Sequence, residues 1–288
     1  MNNKQQLILA CVDGSKLSEA VCDYAVWIAR RIDVPLKLFN TIDHHHEKAE
    51  TIDLSGKMGL DSRDHLLEEL TNLEQEQGKI RIQEGKQILS AAKQRVLDGG
   101  ISEPITCLQH GGLIESLVEF EQDIHVLVVG ARGKVHEDQS DQIGAKLESM
   151  IRSLHRPILV AYQAFTEPKN IMIAYDDSES SKKVLDLVAN TQFCKGLTCH
   201  LVHASKKAGS NGMLENAANK LSVAGGIEVL IASLKGNPDQ VLCDYQVSHN
   251  IDMTIMGAFS HTRLHDLILG SFTHKMLLKT NKSLLLLR

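Results

Sequence analysis

The chain repeats itself, and the repeat restricts the architectures open to it. Asp13-Gly14-Ser15 closes an apolar run from Leu7 to Val12, and Asp176-Asp177-Ser178 closes a second from Ile171 to Tyr175, each ahead of a helix-like stretch. Later in each half another apolar run ends in glycine, Val126-Leu127-Val128-Val129-Gly130 and then Met253-Thr254-Ile255-Met256-Gly257. A further glycine, Gly144 or Gly270, opens one more helix-like stretch. Self-similarity on this scale predicts one α/β unit in tandem rather than a single large fold. Glycines at strand-to-helix turns are also where such a sheet can receive a phosphate on backbone amides.

Hydrophobic periodicity predicts strands at 6–13, 35–41, 103–108, 124–130 and 157–163, with helices at 16–31, within 63–98, at 112–121 and at 144–153. The second half predicts strands at 169–176, 197–204, 227–233, 251–257 and 283–288, with helices at 179–190, 213–223, 237–247 and 270–279. Parallel neighbours need a crossover, so strict alternation of strand and helix implies a parallel sheet covered on both faces. The expected fold class is α/β, with two tandem doubly wound five-stranded domains spanning 1–163 and 169–288. Asp13 and Asp176 lie 163 positions apart but Gly130 and Gly257 only 127, so the first half carries 36 extra residues. These are assigned to a partly helical insertion at 43–78. The linker from Gln163 to Lys169 is short and holds one proline, which predicts touching domains arranged as a pseudo-twofold pair, a pre-joined dimer. Edge strands at 157–163 and 283–288 are expected to offer a route to a homodimer.

With 288 residues, 43% of them hydrophobic, the chain can bury two cores. Its net charge is −5 and its 31 basic residues are scattered, which argues against nucleic acid as a partner. No stretch approaches the roughly 18 apolar residues of a membrane helix, and the first residues lack the apolar segment of a signal peptide. None of the six cysteines forms a Cys-x-x-Cys pair, so reduced thiols in a cytoplasmic protein are expected. Cys194, Cys199, His200 and His203 invite a metal reading, but strand alternation throws neighbours to opposite faces and favours core packing. His44-His45-His46 reads as solvated loop, and no metal site is expected.

The chemistry concentrates in the second half. Gly257-Ala258-Phe259-Ser260 is followed by nine residues and then Gly270-Ser271-Phe272-Thr273. Gly257 suits a sharp turn at the carboxyl end of its strand, and Gly270-Ser271 opens a helix whose free N–H groups can meet an anion. Ser271 and Thr273 add hydroxyl donors. Taken alone, Asp176 or Asp177 reads as a helix cap; beside this glycine pattern, Asp176 reads as an acceptor for a ribose hydroxyl or an adenine amino group. His261 and His265 fall in the loop between the glycines.

These residues resemble the universal stress protein family, whose domains carry a strand-ending Asp-Gly-Ser and a Gly-x2-Gly-x9-Gly-Ser/Thr phosphate loop. The resemblance covers the chain outside the insertion and extends to Gly236-Asn237-Pro238 and to the closing strand His155 to Val160. It implies a stress-response protein binding ATP, with or without Mg, or a related adenine nucleotide. By position it places ribose or adenine contacts at Asp176 and about Ala204, and phosphate contacts at Gly257, Gly270, Ser271 and Thr273, with Met256 and Ser260 also among the cofactor-binding positions. Ser260 stands where the family has its second glycine. The first half departs further: its loop is one residue longer, Ala145 replaces the hydroxyl residue, and Glu137, Asp138 and Asp141 oppose a phosphate. Nucleotide is therefore expected in the second half, with an unidentified protein partner reading its occupancy. Two other functions stay open, an interaction module with both sites eroded and a slow nucleotide hydrolase. No phosphate-binding lysine motif and no nucleophile with an adjoining base is evident.

Overall fold

A computed structural model describes residues 6–42, 60–133, 143–206, 211–224, 226–258 and 270–288. In the first half, β1 (Leu7–Cys11), α1 (Ser18–Ile32), β2 (Leu36–Ile42), α2 (Leu60–Asp98) and β3 (Ile105–His110) come first. They are followed by α3 (Leu113–Phe120), β4 (Ile124–Gly130), α4 (Ala145–Ser153) and β5 (Ile158–Ala161). The second half opens with β6 (Asn170–Ala174), α5 (Glu179–Asn190), β7 (Thr198–Ser205), α6 (Asn211–Ala224) and β8 (Glu228–Lys235). It closes with α7 (Pro238–Ser248), β9 (Met253–Gly257), α8 (Ser271–Lys279) and β10 (Ser283–Leu287). Every expected strand and helix is present, with ends shifted by up to three residues where fraying and turns compete with the ladder.

The ten strands form one sheet in the order β3-β2-β1-β4-β5-β10-β9-β6-β7-β8. All neighbours are parallel except β5 and β10, which pair antiparallel with Leu284 opposite Val160, Leu285 opposite Leu159 and Leu286 opposite Ile158. This corrects the expectation that 157–163 and 283–288 are open edges for a second chain. Each consumes the other's backbone groups inside the molecule, and β3 and β8 are the edges that remain.

Side chains alternate across the strands and so feed two apolar layers. Ile8 and Ala10 of β1 belong to the layer that also holds buried residues of α1, α2, α5 and α6, whereas Leu9 belongs to the layer that holds those of α3, α4, α7 and α8. Both layers run uninterrupted from one half to the other. The seam is reinforced around α1. The Ser283 hydroxyl donates to Tyr24 Oη at 2.9 Å, and the Tyr24 ring meets linker Phe165 edge-on at 4.8 Å. Trp27 packs edge-on against Phe193 at 5.2 Å beneath the Arg31 guanidinium, which donates to the carbonyls of Phe193 and Lys195.

The cysteines and histidines considered for a metal are otherwise engaged. Cys194 and Cys199 are buried thiols whose pKa burial pushes up. His200 Nδ1 lies 2.9 Å from the Tyr245 hydroxyl, and His203 Nδ1 lies 2.9 Å from the Tyr175 carbonyl. His44-His45-His46 falls outside the described residues.

Leu285 touches the seam from both sides, pairing with Leu159 and with Ile255. Leu285→Ala is expected to cost about 2–5 kcal/mol, and to lower one cooperative unfolding transition for the whole chain. Urea unfolding followed by circular dichroism checks this. Two transitions, with only one moved, would contradict it.

Candidate functional site

Parallel strands end in a crevice where the strand order reverses, and in the second half β6 and β9 flank that point. After β6 the chain turns through Tyr175-Asp176-Asp177-Ser178. Asp177 takes a left-handed φ of 62°, as Gly14 does at 75° in the first half, so the two turns share one backbone shape. Asp176 Oδ1 accepts the Ser178 N–H at 3.1 Å, and Asp13 Oδ1 accepts the Ser15 N–H at 3.0 Å. The cap of α5 is Ser178, whose hydroxyl accepts the Ser181 N–H at 3.1 Å. Neither aspartate therefore takes the capping role considered for it, and Asp176 stands at the crevice mouth with its side chain exposed. Tyr175 donates to Asp177 at 3.0 Å, and burial together with that carboxylate pushes its pKa up to about 12.

A cavity of about 320 Å³ fills this crevice, within the range of about 300–1,000 Å³ typical of ligand sites. One end is apolar, walled by Ala174, Val202, Ala204, Leu242 and Met256. The other end is formed by Gly257, Gly270, Ser271 and Thr273, with Asp176 also on the wall. Of the eight residues singled out from sequence, seven line this one cavity; Ser260 lies outside the described residues, as do His261 and His265.

Gly270 is the N-cap of α8, at φ −57° and ψ 139°, with no side chain to cap the helix. The first intrahelical bond runs from the His274 N–H to the Gly270 carbonyl at 2.9 Å, so the amides before His274 have no partner within the helix. Two expectations need correction. The Thr273 hydroxyl donates to the Ala258 carbonyl at 2.7 Å and is buried, so it ties α8 to β9 rather than facing a ligand. Gly257 does not adopt a left-handed φ; glycine is required because a Cβ there would lie 2.2 Å from Ser180 Oγ and 2.6 Å from Ser180 Cβ.

The cavity also contains groups that the repeat did not single out. Lys275 sits one turn beyond Ser271 on the same face of α8, a spacing that was readable in the sequence. Asp239, buried in the first turn of α7, accepts from Lys279 and lies 4.0 Å from Lys275 Nζ. The Lys279 hydrogen bond holds its carboxyl below the usual carboxylate range. Only the fold reveals that Asp239 faces this space.

The first half repeats the turn but carries bulkier side chains beside it. Cys11 pairs in register with Phe39 as Ala174 does with Val202, so Phe39 occupies the position of Val202. Its ring is fully buried and packs edge-on against Phe120 at 5.5 Å. Leu17 lies against Gly130 where Ser180 lies against Gly257, and buried Leu147 replaces Thr273. Glu137, Asp138 and Asp141 fall outside the described residues.

The universal stress protein family matches this chain over residues 6–161 and 205–288. A universal stress protein of Synechocystis sp. is 31% identical over 284 residues, covering 98% of this chain and 99% of that protein. Among solved structures, a universal stress protein from Archaeoglobus fulgidus superposes with a TM-score of 0.68 at 15% identity, over 98% of this chain and 96% of its own. That likeness concerns the fold, whereas the sequence matches over most of the length fix the lineage. The chain belongs to the universal stress protein family.

Proposed function

We propose that the second half binds ATP or a related adenine nucleotide and that occupancy serves as a regulatory signal to a protein partner in the cytoplasm. The observation that carries this reading is the meeting of an apolar slot, a carboxylate and an uncapped helix N-terminus around one cavity. The slot between Val202, Ala204, Leu242 and Met256 suits a planar base, and Asp176 places a carboxylate, an acceptor suited to ribose hydroxyls, on the same wall. Amides at the start of α8, with the Ser271 hydroxyl, suit phosphate oxygens, because helix N-termini combine unpaired donors with a positive dipole end. Lys275 adds a cation on the same face. Mg, where present, would be carried in by the polyphosphate, since among the described residues no cluster of three or more His, Cys, Asp or Glu is placed to hold a metal.

On the same reading, 1–163 and 169–288 are two copies of the family's unit. The first copy contributes structure, its base position being filled by Phe39. Among the described residues no helix is long and apolar enough to cross a membrane. The buried thiols, Cys22 pushed up to about 12 by burial among them, suit a reducing compartment.

Titration calorimetry with ATP tests the site. The wild-type chain is expected to bind one equivalent. Gly270→Val is expected to abolish binding without unfolding the chain, because its backbone angles suit any residue while the added methyls cover the amides. Gly144→Val, where an added Cβ meets nothing within 4 Å, is expected to leave affinity unchanged. Wild-type affinity in the Gly270 variant would place the nucleotide elsewhere, and no heat at millimolar ATP would favour the interaction module.

Asp176→Ala removes the acceptor at the mouth and is expected to weaken binding about tenfold to a hundredfold, the equivalent of one or two hydrogen bonds to a charged group. An unchanged dissociation constant would remove Asp176 from the site.

A further inference from the structure

Helix α2 runs for 39 residues, and among those whose side chains are described, 70–98, it is the carboxyl-terminal part that rests on the sheet. Leu89, Ala92 and Val96 are buried in the core. The sheet contact ends near Gly85, where a Cβ would meet Leu108 Cδ1 at 2.7 Å, and Ile88, which lies beside Gly14 at the carboxyl end of β1. Residues 60–84 continue as helix beyond that end of the sheet, an arm about 37 Å long at 1.5 Å per residue. Along it Leu70, Leu73 and Ile80 are 46%, 55% and 59% exposed, and the surroundings of Gly78 are open. An isolated helix of this length containing a glycine is marginal in water, so the arm requires a partner to hold it.

We propose that the arm is a dimerisation element, pairing antiparallel with the same arm of a second copy of this chain. Leu70, Leu73, Gln77 and Ile80 follow the alternating three- and four-residue spacing of a coiled-coil seam, and the sequence continues that spacing back to Leu66. Gln77 places one polar residue within that seam. Charge selects both partner and direction. The stretch 68–76 carries Glu68, Glu69, Glu74 and Glu76 and no basic residue, whereas 79–86 carries Lys79, Arg81 and Lys86 against Glu84 alone. Parallel arms would set acid against acid and base against base. Antiparallel arms related by a twofold axis near residue 77 set the acidic stretch of each beside the basic stretch of the other. The 36 extra residues of the first half thus acquire a role independent of the nucleotide proposal, since the arm leaves the sheet at the end opposite the second-half cavity.

Sedimentation equilibrium of the full chain tests this. At about 100 μM, where a micromolar dimer is fully formed, the wild type is expected at twice the 31.8 kDa chain mass. Leu73→Glu with Ile80→Glu is expected to give the single-chain mass with the unfolding transition of the body unchanged. Lys79→Glu with Arg81→Glu is expected to weaken the dimer about tenfold or more through like-charge contact, and adding Glu74→Lys with Glu76→Lys is expected to restore it. A monomeric wild type, whether the arm is covered by residues 43–59 or by nothing, overturns the proposal. So does a dimer indifferent to the seam variant, or one that the charge reversal leaves intact, which would be parallel or held elsewhere.

Discussion

The antiparallel pairing of β5 with β10 is the constraint from which the rest of the molecule follows. Each half, taken alone, ends in a strand with unpaired backbone groups, a template for aggregation unless covered. Joining these two strands removes both liabilities and merges two five-stranded sheets into one. Because the pairing is antiparallel while all others are parallel, the carboxyl ends of the two halves point in opposite directions. The two crevices therefore lie at opposite ends of the sheet, and each is built by its own half.

The two halves share one backbone turn, and side-chain volume sets them apart. Asp13 and Asp176 make the same bond to the amide two residues on, and Gly14 and Asp177 hold the same left-handed conformation. What differs is the filling. Phe39 and Val202 are both fully buried, but the phenylalanine ring takes up volume that the smaller Val202 leaves to the second-half cavity. Keeping an open, partly apolar crevice forgoes such packing, which is expected where a ligand supplies the missing contacts. The buried Asp239, paired with Lys279 on the wall of that crevice, fits the same distinction, since nothing in a purely structural core requires a carboxylate there.

Much of the fold was legible because its signals are local. Alternating apolar runs such as Leu7 to Cys11, ended by Asp-Gly-Ser or Asp-Asp-Ser, report strand and turn chemistry within a few residues. The meeting of Asp176, Gly257 and Gly270 was legible because a parallel sheet brings strand carboxyl ends together whatever the intervening sequence. The seam was not: a strand edge looks the same in sequence whether it pairs with solvent, another chain or its own duplicate. The reasons for individual residues were equally hidden. Gly257 exists for the approach of Ser180 across the turn, and Thr273 for a bond to Ala258, contacts that appear only once α5, α8 and β9 are assembled.

The second-half crevice is proposed to hold an adenine nucleotide and the first-half one to hold none. A crystal structure of the protein grown with ATP tests it most directly. Base density between Val202 and Leu242 with phosphates over Gly270, and none over Gly144, is the predicted result. Nucleotide over Gly144, or two empty crevices at saturating ATP, would contradict it.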